Sequence, residues 1–238
     1  MSAFFEKIRH LVDEIEQQES EVIEDAAKVI AKSIENGGIM QLFGSGHSHL
    51  LAQETYYRAG GLVPAKAIQI EELMLHSGAI NSSENEKNLS KIEKYWQEIS
   101  FQSNDVLVVI STSGRNPIPV EIALRAKKLG IPVVTLQSLL YCQQPSRHPS
   151  GKRLEDVAAI VLNTHVPIGD GIIANQHLQY GPVSTIVGAT ILNEVIVQAI
   201  QILQSKNIDP PIFSSNNIEA ENNNEVWIQK YQNRINFN

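Results

Sequence analysis

Residues 105–130 read DVLVVISTSGRNPIPVEIALRAKKLG. Val106 to Ile110 is a run of β-branched residues and leucine with no charge inside it, the pattern of a strand buried on both faces. It runs into Ser111-Thr112-Ser113-Gly114, four small residues of which three carry hydroxyls. Asn116 is a good N-cap, and Pro117 suits the first helical turn, where a missing N–H costs nothing. Ile122, Ala123, Ala126 and Leu129 then recur at helical spacing until Gly130 ends the helix. The stretch is a strand, a hydroxyl-rich turn and a helix.

Such a unit suits an anion. A helix start presents unpaired N–H groups and partial positive charge, and serine and threonine hydroxyls add donors without bulk. The plainer alternative is a polar turn that only caps a helix. A second unit of the same kind lies upstream. Ile39 to Phe43 reads as a strand, Gly44-Ser45-Gly46-His47-Ser48-His49 follows, and a helix runs from near Leu50 toward Arg58. A dinucleotide fingerprint GxGxxG would need a third glycine where His49 stands. No nucleotide cofactor is read here.

The chain has 238 residues, 42% of them hydrophobic, enough for one substantial α/β core. Residues 1–205 are expected to form one domain including N-terminal helices, with 206–238 as a C-terminal extension packed on it. A net charge of −7 argues against nonspecific binding to nucleic acid or an anionic membrane. Any phosphate must then be held locally. The single cysteine, Cys142, excludes an intrachain disulfide and suggests a reducing compartment. The N-terminus is charged throughout, without a signal-peptide core. Val183 to Leu203 is long and apolar, but Asn193, Glu194, Gln198 and Gln201 make it a buried helix rather than a membrane span. A cytoplasmic protein is expected.

Residues 3–36 read as helix, with Glu19-Ser20 as the place where it could break. Pro64 to Ile70 reads as a strand, Glu71 to His76 as a short helix, Ser77 to Ser83 as a polar loop and Glu84 to Ile99 as a helix. Strands at Pro132–Leu136 and Ala158–Leu162 follow, and strands alternating with helices point to a parallel sheet. Residues 137–156 form a long connection carrying Arg147, His148, Lys152 and Arg153, which either closes over an anionic substrate or is simply solvated. Residues 163–181 read as irregular, and an Asn-rich, low-complexity bridge precedes a last helix from Glu225 to Arg234. The apolar N-terminal helices and the Val183–Leu203 helix suggest a homodimer.

FGSGHS (43–48), VISTSGRNP (109–117) and GPVSTIVGATILNEV (181–195) together resemble the sugar isomerase (SIS) domain. The resemblance spans roughly residues 20–205 and is most specific in the second motif. With SRHPSGKRLEDVA (146–158), the chain is most similar to an uncharacterised bacterial branch of phosphosugar-binding proteins. The resemblance implies a three-layer αβα sandwich, Rossmann-like, with a five-stranded parallel sheet. It implies a phosphorylated sugar as ligand, with Ser111, Thr112, Ser113 and Asn116 lining the phosphate and Ser48 approaching from the other side. Ser45 and His47 would contact the phosphosugar from the same loop, and Gly46 and Gly114 would let backbone come close. Where aminosugar-phosphate relatives usually have threonine, this chain has Asn116.

Aldose–ketose isomerisation needs a base that moves a proton between adjacent carbons. Glu54, on the helix after the first loop, is the first candidate, with His49 and His177 as further acid–base candidates. Glu72, His76 and Glu84 are weaker ones. Phosphoheptose isomerases resemble the first loop, but their metal-binding histidine and glutamate fall near Glu54 and Arg58, and a cation is a poor zinc ligand. No metal or other cofactor is therefore carried over. N-acetylmuramic acid 6-phosphate etherases share a turn like Ser113-Gly114-Arg115, and their acidic Glu-Asn step could correspond to Glu84-Asn85, so ether cleavage is an alternative. A non-catalytic phosphosugar sensor is another. SIS-type transcription regulators carry a helix-turn-helix ahead of the domain; the ~35 residues here are acidic and too few for one, and no nucleic-acid partner is expected.

Overall fold

The computed structural model describes residues 3–215, 217 and 223–237. It opens on one unbroken helix, α1 (Ala3–Glu35), whose buried Leu11, Ile15, Ile23, Ala27, Ile30 and Ile34 keep a helical period. The break allowed at Glu19-Ser20 does not occur. Glu19 is buried there, and its carboxylate accepts from His165 Nε2 at 2.6 Å and from the Asn163 amide at 3.3 Å. A polar side chain with such partners can stay inside the packed face of a helix.

There follow β1 (Met40–Gly44), α2 (His47–Thr55), β2 (Ala65–Ala67), α3 (Ala79–Asn85), α4 (Ile92–Gln97), β3 (Val106–Ile110), α5 (Pro117–Lys128), β4 (Val133–Gln137) and β5 (Ile160–Asn163). The five strands form one parallel sheet in the order β2-β1-β3-β4-β5. Helices cover both faces, as the αβα reading requires. In β3 the residues alternate sides: Val106, Val108 and Ile110 join the core under α1 and α6 (Ser184–Ser205), while Leu107 and Val109 join the core under α4 and α5. An apolar run without alternation therefore marks a strand with no solvent face.

The helix read over Glu84–Ile99 is divided. Asn88 accepts from the Ser90 N–H at 3.1 Å and starts a separate turn before α4. The polar stretch before it is helical, as α3, because Gly78 (φ +119°) lets the chain turn and Ser82 anchors it to the Leu73 carbonyl at 2.7 Å. Residues 163–181, read as irregular, contain an antiparallel hairpin, β6 (Gly171–Ala174) with β7 (Gln179–Pro182). Its strands are four residues long and include glycine and proline, so no periodicity announced them.

By length and composition α6 could cross a membrane, yet half of its apolar window is buried within the protein, against α1 and α2. At the β2 edge, Phe213, Tyr231 and Ile235 pack with Ile39 and Val63, the last two aromatic and aliphatic groups coming from α7 (Asn224–Tyr231) and the turn after it. Arg234 Nη2 donates to the buried Asp105 carboxylate at 2.7 Å, which also accepts from the Ile39 N–H and the Gln41 amide. Much of the Asn-rich bridge, residues 216 and 218–222, lies outside the described residues.

Candidate functional site: the crevice between β1 and β3

Strand order 2-1-3-4-5 places β2 on one side of β1 and β3 on the other. The connections after β1 and β3 therefore leave in opposite directions and open a crevice at their C-terminal ends, where open α/β sheets bind ligands. Gly44 is paired with Ile110, so Ser45 and Ser111 start the two loops at the same height.

In the first loop Ser45 is buried and Gly46 takes φ +57°, its N–H donating to the Leu73 carbonyl at 2.8 Å. His47 is exposed and Ser48 half-buried at the start of α2. His49 is buried, and the Gln53 amide lies 3.0 Å from its Nε2, which places the ring proton on Nδ1, an atom with no partner. Burial, and then the charge of His76, hold His49 below the usual histidine range. Glu54, in the last turn of α2, pairs at 3.4 Å with Arg58 beyond the helix end.

In the second loop Ser111 is buried, and Thr112 and Ser113 are half-buried. Asn116 stands at the N-cap position of α5 but makes no capping bond. Its Oδ1 accepts from Arg147 Nη1 at 2.8 Å, and its side chain lies beside the Glu86 carboxylate. The first turn of α5 is Pro117-Ile118-Pro119, so two of its residues lack an N–H, and the Ile118 N–H goes to the Glu86 carbonyl at 3.2 Å. The helix start is thus a poor donor, contrary to the sequence expectation. The loop supplies donors instead: among the described residues, the N–H groups of Thr112, Ser113, Arg115 and Asn116 find no acceptor in the chain. Successive free N–H groups in a tight turn form a cradle for an anion.

Glu86 joins the two loops. It follows α3, and its Oε1 accepts from Ser45 Oγ at 2.8 Å while the Asn116 side chain lies beside the same carboxylate. Burial pushes the Glu86 carboxyl above the usual range, and it prevails over the opposing hydrogen bonds from Ser45 and Asn116. Sequence reasoning singled out Glu84 and Asn85 and missed Glu86. Glu84 is exposed, and the Asn85 amide is turned to the Glu72 carbonyl at 2.9 Å. The available signal was three polar residues at the end of a seven-residue helix, which cannot show which one faces inward.

The 137–156 connection is fastened to the second loop. Arg153 is buried and donates to the Ser113 carbonyl at 2.7 Å, while the Leu154 N–H donates to the Gly114 carbonyl at 2.9 Å. Gly114 (φ +64°) lies against Gln137, whose Oε1 would be 2.5 Å from any added Cβ. His148 is buried too, its Nε2 3.1 Å from Glu121. Of the two sequence alternatives for this connection, solvated or closing on the site, neither describes these buried side chains: they brace the turn from behind.

His47, Ser48, Leu51 and Thr112 line a cavity of about 360 Å³ together with Tyr141, Gly169, Asp170, Ser184 and Thr185. Residues of both loops therefore converge on one space. Asp170 and Tyr141 were not singled out from the sequence. Asp170 (φ +66°) accepts from the N–H groups of Val183 and Ser184 at 3.1 and 2.8 Å and so fixes the start of α6 at the cavity wall. A larger concavity of about 570 Å³ between α1 and α6 has only Glu16 and Glu194 as charged lining groups, which would repel a phosphate.

His177 is exposed near the tip of the β6–β7 hairpin. Glu72 is held down to about 2 by hydrogen bonds from Lys91 and Lys94, and His76 pairs with Glu71 at 3.3 Å. Among the described residues no three His, Cys, Asp or Glu side chains are grouped to hold a metal ion.

The sheet order, the two hydroxyl loops and the crevice between them define a sugar-isomerase-type α/β domain. The family model for the SIS domain matches residues 3–138, and the chain belongs to that family. It is 51% identical over 237 residues to "UPF0309 protein in nagA 3'region" of Lysinibacillus sphaericus, covering 100% of this chain and 98% of that one. Among solved structures, the phosphoheptose isomerase GmhA of Neisseria gonorrhoeae shares the fold with a TM-score of 0.54 at 19% identity, over 85% of this chain and 95% of that one. Vibrio vulnificus NanR complexed with ManNAc-6P also shares it, with a TM-score of 0.51 at 18% identity, over 86% of this chain and 62% of that one.

Proposed function

We propose that the chain binds a phosphorylated sugar in the β1–β3 crevice and catalyses its aldose–ketose isomerisation, with Glu86 as the proton carrier. The observation that carries this is the carboxylate of Glu86 between the two loops, bonded to Ser45 on one and lying beside the Asn116 side chain of the other. The phosphate sits on the 111–116 loop, held by the hydroxyls of Ser111, Thr112 and Ser113, the loop N–H groups and Asn116, with Ser48 opposite. The names of the gonococcal and Vibrio proteins of this fold connect them with phosphosugars, which supports the ligand class by analogy.

As the carboxylate, Glu86 takes the proton from C2 of the open-chain aldose. The C–H electrons form the C1–C2 double bond while the C1 oxygen takes a proton from water, giving an enediol. Glu86 then returns its proton to C1 as the C2 hydroxyl gives its own back to water and becomes the carbonyl. A carboxyl raised toward neutrality accepts and releases that proton with little bias. Ser45 and Asn116 orient the carboxylate, and His47 lies at the mouth. Glu54, His49 and His177 have no bond to Glu86 or to the second loop among the described residues, so we place the base at Glu86.

Ser111→Ala and Ser113→Ala are each expected to weaken binding of hexose 6-phosphates by roughly tenfold or more, because each removes a hydrogen bond to a charged group. Calorimetric titration checks this, and unchanged affinity places the phosphate elsewhere. In deuterated buffer the bound sugar should acquire deuterium at C1 or C2. Binding without exchange would leave a sensor.

The polypeptide is proposed to act as a homodimer in the cytoplasm. Leu50, Ile168 and Ile186 are exposed beside the cavity residues Leu51, Gly169 and Thr185, an apolar rim that a second copy could cover. Light scattering at micromolar concentration is expected to give twice the chain mass; the mass of one chain would reject the dimer.

A further inference from the structure

Three arginines meet at the phosphate loop, Arg115 within it and Arg147 and Arg153 on the 137–156 connection, and they are not equivalent. Arg153 is buried and fully occupied: it pairs with Glu155 and donates to the carbonyls of Ser113 and Gln144, both at 2.7 Å. Its role is to brace the loop. Arg147 is exposed and anchored at one point, Nη1 to Asn116 Oδ1 at 2.8 Å, while its N–H donates to the Arg115 carbonyl at 3.0 Å. Arg115 Nη1 donates to Gln144 Oε1 at 2.6 Å, and its Nε is buried with no acceptor.

Among the described residues neither Arg115 nor Arg147 has a carboxylate within ion-pair distance; Arg147 acts on the Glu86 carboxylate only from further away, through its charge. In a chain with 26 acidic and 19 basic residues, two adjacent unpaired guanidinium groups are not the default arrangement. Like charges placed together without an anion between them raise the energy of the empty site. Burial, and then the charges of Arg147 and Arg153, hold Arg115 below the ordinary arginine range. The hydroxyls and N–H groups of residues 111–116 already suffice for one phosphate. The Arg115 guanidinium turns away from its own backbone to Gln144, and that of Arg147 meets the loop at Asn116.

We propose that Arg115 and Arg147 form a second anion subsite next to the phosphate loop, and that the physiological ligand is a sugar phosphate bearing a further carboxylate or phosphate. A planar guanidinium with unused N–H donors suits either group, and both would be held by charge-assisted hydrogen bonds. This rests on the phosphosugar reading above and narrows it to ligands with two anionic ends.

Calorimetry with two matched pairs tests it: N-acetylglucosamine 6-phosphate against N-acetylmuramic acid 6-phosphate, which adds a lactyl carboxylate, and fructose 6-phosphate against fructose 1,6-bisphosphate. The native chain should bind the two-anion member of at least one pair roughly tenfold tighter, and which pair responds distinguishes carboxylate from phosphate. Arg147→Ala, at an exposed position that leaves the fold intact, should reduce that preference to less than about threefold while sparing the monophosphate. Arg115→Lys should reduce it as well, because lysine keeps the charge but loses the planar fork. Equal affinity within both pairs would overturn the subsite, as would an Arg147→Ala loss shared equally by monophosphates. Failure of all four sugars to bind would overturn the phosphosugar reading along with it.

Discussion

Glu86→Gln is expected to lower isomerase turnover by ~10²- to 10⁴-fold while leaving sugar-phosphate affinity within about threefold of the native value. Glutamine keeps the shape of the side chain and one oxygen acceptor, so the bond from Ser45 Oγ can persist and the two loops stay in place. What it loses is the ability to carry a proton from one carbon to the next. The two effects must separate: exchange of sugar C–H protons with solvent should stop, while titration calorimetry still shows binding. A variant that exchanges at the native rate would exclude Glu86 and return Glu54, His49 and His177 to consideration.

The same substitution has a stability consequence whose sign follows from the raised carboxyl. Burial holds Glu86 above the ordinary range, so the folded chain keeps this proton to a higher pH than the unfolded chain does. The stability linked to that proton is complete at pH values below the unfolded carboxyl's own titration, and it is lost as pH rises through the folded value. Once the pH lies above the folded value, the native protein bears a half-buried negative charge that glutamine would not. Glu86→Gln should melt higher than the native chain at pH 7, and the difference should close as pH falls toward about 4. A variant less stable at pH 7 than at pH 4, relative to native, would mean the carboxylate is a net structural support.

Much of this fold could be read in the chain because β3 has apolar residues on both faces and is followed directly by a turn and a helix. Ser111, Thr112 and Ser113 fall on the turn for the same reason. Glu86 could not be found that way. It lies between a seven-residue helix and a separate helical turn, where no periodicity fixes which side chain points inward. The role of Asn116 was also hidden: its N-cap position is local information, whereas its bond to Arg147 and its place beside Glu86 depend on segments 31 residues later and 30 earlier. Proline at two of the first three positions of α5 was legible, and its meaning is chemical: with those N–H groups absent, an anion is left to the loop. The β6–β7 hairpin and Asp170 were invisible for a different reason, since glycine, proline and polar residues dominate the segment and only tertiary contacts make it regular.

Gly44→Ala is expected to destabilise the fold by about 3 kcal/mol and to abolish sugar-phosphate binding in whatever folded protein remains. Gly44 ends β1 where the first turn of α2 passes directly over it. An added Cβ would lie 2.5 Å from the Ser48 carbonyl carbon, 2.6 Å from its oxygen and 2.8 Å from the His49 nitrogen. All three are backbone atoms, so no side chain can swing aside and the helix itself must lift. The close packing of helix on strand that a third fingerprint glycine would have given at His49 is made here at Gly44. Lifting α2 carries Ser48 away from Thr112 across the cavity and pulls Ser45 from Glu86. Gly130→Ala provides the comparison: nothing lies within 4 Å of its added Cβ, and only its φ of +77° resists the change, so about 1 kcal/mol is expected there with binding intact. Urea denaturation and calorimetric titration of the two variants should therefore diverge. If Gly44→Ala cost no more than Gly130→Ala and still bound sugar phosphates, the seat of α2 on β1 would not be what aligns the two loops.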